Sequence, residues 1–165
     1  MESRLNYAKL APEPIRGLYA IGKHLESCGL ETSLLELVKI RASQLNGCAF
    51  CLDMHTQDAR ALGETEQRIY ALSAWRETPF FTDRERAALA WAEAVTRIGE
   101  GVPDALYEEA RRHFDEKELA DLTWGVVVIN SWNRLAIAFR VPPGTYKPHL
   151  KASLQASLVG SGEPS

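Results

Sequence analysis

A chain of 165 residues with 45% apolar and 25% charged residues has the size and balance of one globular domain, with little room for two. A net charge of −3, with both signs interspersed, leaves no basic stripe for nucleic acid or an anionic membrane; no apolar run reaches the length of a signal-peptide core or a membrane span. The cytoplasm is the expected compartment, and there three cysteines are too few for a disulfide scaffold, so a Cys-x-x-Cys reads as redox or metal chemistry before it reads as a staple.

In chain order, the sequence predicts helices joined by short turns. Pro14 to about Leu25 is amphipathic, with Ile15, Leu18, Tyr19 and Gly22 on one face, and Ser27-Cys-Gly-Leu30 is its closing turn. A second helix runs from about Thr32 to Leu45 and stops at Asn46-Gly47; a third runs from Cys48 or Ala49 to Leu62, before Gly63. Thr65 to Trp75 forms the next, closed by Pro79. Thr82-Asp-Arg-Glu85 is a capping box that opens a helix to about Ile98, and Pro103 leads a short one to about Phe114. Val126-Val-Val-Ile129 reads as strand by propensity, but both flanks read as helix and no second strand exists to pair with it, which predicts one buried helix from about Glu116 to Phe139. The expectation is all-α: one domain over 1–150 of about six to seven helices, with the Cys-x-x-Cys at the start of the third, and a small polar tail, partly disordered, over 151–165.

The segment NGCAFCLDMH, residues 46–55, concentrates the chemistry. Haem attachment fails because Leu52, not histidine, follows the second cysteine. A structural zinc site needs four ligands; Cys48, Cys51 and His55 offer three, with Glu36, Cys28 or His24 as a fourth, and no second Cys-x-x-Cys supports it. A redox pair fits better. Cys48 lies at a helix start, where free N–H groups and the positive dipole end favour a thiolate, and the spacing places Cys51 about one turn away, near enough to form a disulfide. Cys51, inside the first turn, is expected to be the less exposed.

Cys51 and His55 are i and i+4, so they share a face and His55 can take a thiol proton. If the second and third helices form an antiparallel hairpin, Glu36 lies ~16 Å back along the axis, level with Asp58, and is within about one turn of His55. Contact through a water is then expected. Singly, Glu36 would be a solvated carboxylate paired near Lys39, His55 a boundary residue, and each cysteine a small buried apolar group. Their joint register on adjacent helices points instead to a chain Glu36–His55–Cys51, with Cys48 beside it.

The set Glu36-x11-Cys48-x-x-Cys51-x-x-x-His55 resembles the signature of the carboxymuconolactone decarboxylase superfamily in its AhpD-like alkylhydroperoxidase branch, as do the surrounding LVKIRASQLNGCAFCLDMHTQDARALGETEQRI and the later SAWRETPFFTDRERAALAWAEAVT. The resemblance covers about residues 10–140. It implies an AhpD-like all-α bundle assembling as a homo-trimer or homo-hexamer, without cofactor or metal, that reduces small hydroperoxides with an external lipoyl- or thioredoxin-type dithiol. It also implies Cys51 as the attacking thiol, Cys48 as the resolving one, and Glu36 and His55 as a proton relay. Phe50 departs from the best-known members, which carry a histidine at that position, so the relay is shorter and the reductant open.

Three other readings stay open on sequence: a decarboxylase-type enzyme without redox chemistry, a non-enzymatic thiol sensor or binding module, and the metal clip. Cys28 is expected in a turn outside the site, and His24, His113 and His149 have no matched partners. Trp124, Trp132 and Phe139 read as core or subunit interface, and Asn130 and Asn133 as satisfied buried amides or as pocket lining.

Overall fold

The computed structural model describes residues 2–148, so the expected tail and His149 lie outside the described residues. Within them the chain is all-helical: α1 (Tyr7–Leu10), α2 (Pro12–Leu25), α3 (Thr32–Asn46), α4 (Ala49–Ala61), α5 (Glu66–Ala71), α6 (Asp83–Thr96), α7 (Asp104–His113) and α8 (Glu116–Phe139), with 3-10 turns at Leu72–Glu77 and Ile98–Glu100. The short α1 makes the cysteine-bearing helix the fourth, not the third. No helix among the described residues is long and apolar enough to cross a membrane.

Helix α3 is the axis of the bundle and packs against α4, α6 and α8. Leu34, Leu35, Leu37, Val38, Ile40 and Ala42 are all buried, an apolar surface on most sides of the helix, as a central helix requires. One side joins Leu34, Leu35 and Val38 to Ala88, Trp91, Phe114, Leu122 and Val126. The other joins Leu37 and Ile40 to Leu72, Trp75, Phe81 and Leu89. Gly125 marks the close approach of α8: a Cβ there would lie 3.2 Å from Leu35 Cδ2.

The capping box at Thr82 and Glu85 is present in both halves, and a second one at Asp115 and Glu118 opens α8. That cap, with Leu119, Leu122, Val126, Val128 and Ile129 buried along α8, keeps the β-branched run helical; tertiary burial outweighs its strand propensity. The predicted helix through Trp75 instead ends at Ala71 and continues as a 3-10 turn, in which Trp75 is buried with its indole N–H donating to Glu93 Oε1 at 2.9 Å.

The turn that presents the cysteines is set by Gly47. It adopts a left-handed conformation (φ 69°, ψ 34°), and the Cys48 N–H then donates to the Ser43 carbonyl at 3.0 Å. Open space surrounds its Cα, so Gly47→Ala meets no clash, only backbone strain. It is expected to cost about 1 kcal/mol in chemical denaturation; an unchanged midpoint would show that the turn does not need glycine.

Two end segments close over this region. The Arg4 N–H and guanidinium donate to the Phe139 and Ala138 carbonyls at 3.0 and 2.9 Å, and Tyr7 stacks on Phe139. After α8, the Gly144 N–H donates to Asp53 Oδ2 at 2.8 Å and the Tyr146 hydroxyl to Asp58 Oδ1 at 2.7 Å, tying residues 141–148 to α4.

Candidate active site: a buried dithiol and a carboxylate–imidazole pair

Cys48 is the N-cap of α4, and its Sγ accepts the Cys51 N–H at 3.4 Å. The two sulfurs lie 2.8 Å apart as free thiols, each only 1% exposed. The expected difference in exposure between them is therefore absent: Ala42, Ile129 and Ala136 enclose both, with Phe50, Trp132 and Val141 around them. The hydrogen bond from the Cys51 thiol outweighs the opposing effect of burial and, with the Cys51 and Phe50 N–H groups and Asn133, holds Cys48 down at about 7. Its partner Cys51 is pushed well above the usual thiol range by its bond to Cys48 and by burial. The helix start and the N–H groups there thus favour the thiolate at Cys48.

Glu36 and His55 are also buried, and they touch. Glu36 Oε2 and His55 Nδ1 are 2.7 Å apart, a direct bond where a bridging water was expected. Lys39 Nζ donates to the other oxygen at 2.7 Å. Glu36 is thus buried and not solvated, as it would be if read singly; the Lys39 pairing is present, and Lys39 and His55 each take one oxygen. Burial alone would raise the Glu36 carboxyl; the His55 hydrogen bond and the Lys39 ammonium outweigh it and bring it to about 2.

The structure brings the residues together as two pairs, Cys48 with Cys51 and Glu36 with His55. No hydrogen bond joins His55 to either sulfur among the described residues, though the i, i+4 register keeps Cys51 and His55 on one face of α4. Among the described residues the hydrogen bond of His55 runs through Nδ1 to Glu36, and Nε2 has no partner there.

Contacts that sequence reasoning missed complete the site. Asn133, fully buried, donates to Ser43 Oγ at 3.0 Å and accepts from Asn46 Nδ2 at 2.8 Å, and its amide favours the thiolate at both cysteines. Asn46 also reaches Asn130 Oδ1 at 2.9 Å, and Asn130 donates to Thr96 Oγ1. These are satisfied amides, and Asn133 in addition faces the thiols. Asp58 places a carboxylate oxygen near Glu36 and His55, with the three polar atoms within 4.8 Å of one another. That trio, rather than Cys48, Cys51 and His55, is the grouping close enough to bracket a cation among the described residues; Lys39 and Tyr146 already bond its carboxylates.

The other residues fall elsewhere. Cys28 sits in the turn after α2 with its thiol on the Leu25 carbonyl. His24 bonds Asp121 and His113 bonds Glu109, both away from the thiols. Trp132 stacks on Tyr19, and Trp124 is half exposed.

Comparison with known proteins agrees with this arrangement. The sequence model of the Carboxymuconolactone decarboxylase family matches residues 16–94, which include all four candidate residues. The uncharacterized protein YdfG of Bacillus subtilis is 48% identical over 139 residues, 84% of this chain and 95% of that protein. A crystal structure from Agrobacterium tumefaciens, of a protein of unknown function provisionally assigned to antioxidant defence as AhpD, superposes with a TM-score of 0.83 at 44% identity, covering 88% of this chain and 100% of that one. An uncharacterized peroxidase-related protein from Silicibacter sp. TM1040 gives a TM-score of 0.73 at 26% identity, over 81% of this chain and 71% of that one. The chain belongs to the carboxymuconolactone decarboxylase family, in its AhpD-like branch.

Proposed function

We propose that the protein reduces small hydroperoxides by a dithiol–disulfide cycle at Cys48 and Cys51, with Glu36 and His55 handling the proton. The observation that carries this reading is the buried sulfur pair, 2.8 Å apart at a helix start, beside a carboxylate–imidazole pair bonded at 2.7 Å. One thiolate attacks the peroxide O–O bond, giving a sulfenic acid and releasing an alkoxide that takes a proton from the imidazole to leave as alcohol. The second sulfur displaces hydroxide from the sulfenic acid, forming the disulfide and water. An external dithiol returns the two electrons by exchange. The sum is one hydroperoxide and one dithiol converted to one alcohol, one water and one disulfide.

The helix start and the Cys51 N–H on its Sγ favour Cys48 as the first attacker, the reverse of the order that the family resemblance implies. A carbon-nucleophile probe for sulfenic acid should therefore label Cys48 in the Cys51→Ser variant after a single addition of peroxide. Labelling confined to Cys51, seen in Cys48→Ser only, would restore the other order.

Access to buried thiols needs an opening. Helix α1 brings Tyr7 near both thiols and buries no residue of its own. Removal of residues 2–10 should speed thiol alkylation; an unchanged rate would place the entrance elsewhere. Exposed Leu10, Tyr19, Trp124, Val127 and Ile137 further support assembly into a homo-trimer or homo-hexamer, which light scattering would count. The activity itself is tested by following peroxide loss with dihydrolipoamide, thioredoxin and glutathione offered separately. Turnover with a dithiol donor is the expected result. Activity that survives alkylation of both thiols would favour a non-redox, decarboxylase-type reaction.

A further inference from the structure

The four residues of the dithiol reading leave a buried corner of the site unexplained. Asp58 lies one helical turn beyond His55 on α4, and its carboxylate comes within 4.8 Å of the polar atoms of both His55 and Glu36 without bonding either. It is not a loose surface acid. The Tyr146 hydroxyl donates to it at 2.7 Å, across a separation of 88 residues, and Gly144 in the same segment is tied to Asp53 on α4. The chain after α8 is thus laid along α4 so that a phenol reaches Asp58. The groups facing this carboxylate are Glu36 and Lys39 from α3, His55 from α4 and Tyr146 from the closing segment. Lys39 is taken by Glu36, which leaves His55 as the imidazole that a second negative charge can serve.

We propose that Asp58, fixed by Tyr146, is a positioning residue of the dithiol site: it sets a second carboxylate beside His55 and so holds the imidazole in its protonated form while a thiolate exists. The proton is only stored: it leaves the thiol for His55 and returns to the alkoxide when peroxide is cleaved, so no net proton is gained or lost. Burial and the Glu36 charge leave the Asp58 carboxyl raised from its ordinary value, and the Tyr146 hydrogen bond, His55 and Lys39 oppose that shift. The inference rests on the dithiol reading, but its test does not use peroxide.

The test is the ultraviolet thiolate absorbance of the reduced, full-length protein, followed against pH in a Cys28→Ser background. Asp58→Asn should raise the midpoint of thiolate formation by about one pH unit, the effect of a carboxylate a few ångströms from an imidazole. The sign discriminates. A bystander carboxylate, once neutralised, would lower the midpoint, because one negative charge fewer near the sulfurs favours the thiolate. Asp58→Glu should return the midpoint toward the parent value, and Tyr146→Phe should give a smaller upward shift. A lowered or unchanged midpoint in Asp58→Asn, or no recovery in Asp58→Glu, would overturn the proposal. If Asp58→Asn does not fold, Tyr146→Phe decides it, and an unchanged midpoint there counts against it. Absence of peroxide turnover in the parent protein would instead remove the peroxidase reading.

Discussion

Cys48→Ser and Cys51→Ser should each abolish dithiol-dependent peroxide turnover, by roughly a thousandfold or more, because either loss leaves no intrachain disulfide for the donor to reduce. The two variants should not behave alike in a single turnover, since one keeps the attacking sulfur and still consumes a stoichiometric amount of peroxide. Stability should change little in comparison. Serine is close in size to cysteine, and Asn133, Ser43 and Asn46 form hydrogen bonds among themselves that do not depend on either sulfur. The decisive measurement is steady-state peroxide loss on folded protein, with helicity checked in parallel. Retention of half the parent rate in either variant would exclude a dithiol cycle.

Glu36→Gln should have the next largest effect. The amide keeps the shape but removes the charge that both Lys39 and His55 bond. Turnover should fall by about a hundredfold or more, the usual yield of a positioned proton-transfer group. Stability should fall as well. With the Glu36 carboxyl at about 2 against an ordinary value of 4.5, ionisation linkage contributes about 3 kcal/mol near neutral pH. The sign is fixed by a carboxyl pKa that folding depresses. The contribution is fully present above pH 4.5 and is lost as pH falls toward about 2, so parent and variant denaturation curves should converge in acid. A stability gap that stays constant between pH 7 and pH 2 would show that packing, not charge, accounts for it.

The parts of this site legible in the sequence are those that local spacing controls. Asn46-Gly47 fixes a reversal, the reversal fixes a hairpin, and the hairpin register places Glu36 against His55. The bond is direct because the glutamate side chain spans the remaining offset, a detail of rotamer that spacing does not specify. The capping box of α6 was equally plain, because a cap is read from four consecutive residues. The helix count missed α1, whose four residues bury nothing and carry no periodic pattern. The 3-10 continuation to Glu77 was hidden because it follows from where Trp75 meets Glu93, not from the local sequence. Asp58 with Tyr146 and Asn133 with Ser43 were out of reach for the same reason. Each joins distant parts of the chain, and neither residue of either pair carries a motif that names its partner.

The central claim, that Cys48 and Cys51 form one redox centre, is tested most directly by adding an equimolar amount of an organic hydroperoxide to the reduced protein and mapping the sulfurs by mass spectrometry. The account predicts loss of both thiols and a Cys48–Cys51 disulfide, with Cys28 still free and an equal amount of alcohol formed. Peroxide left unconsumed, or oxidation that falls on Cys28 while Cys48 and Cys51 stay reduced, would contradict it.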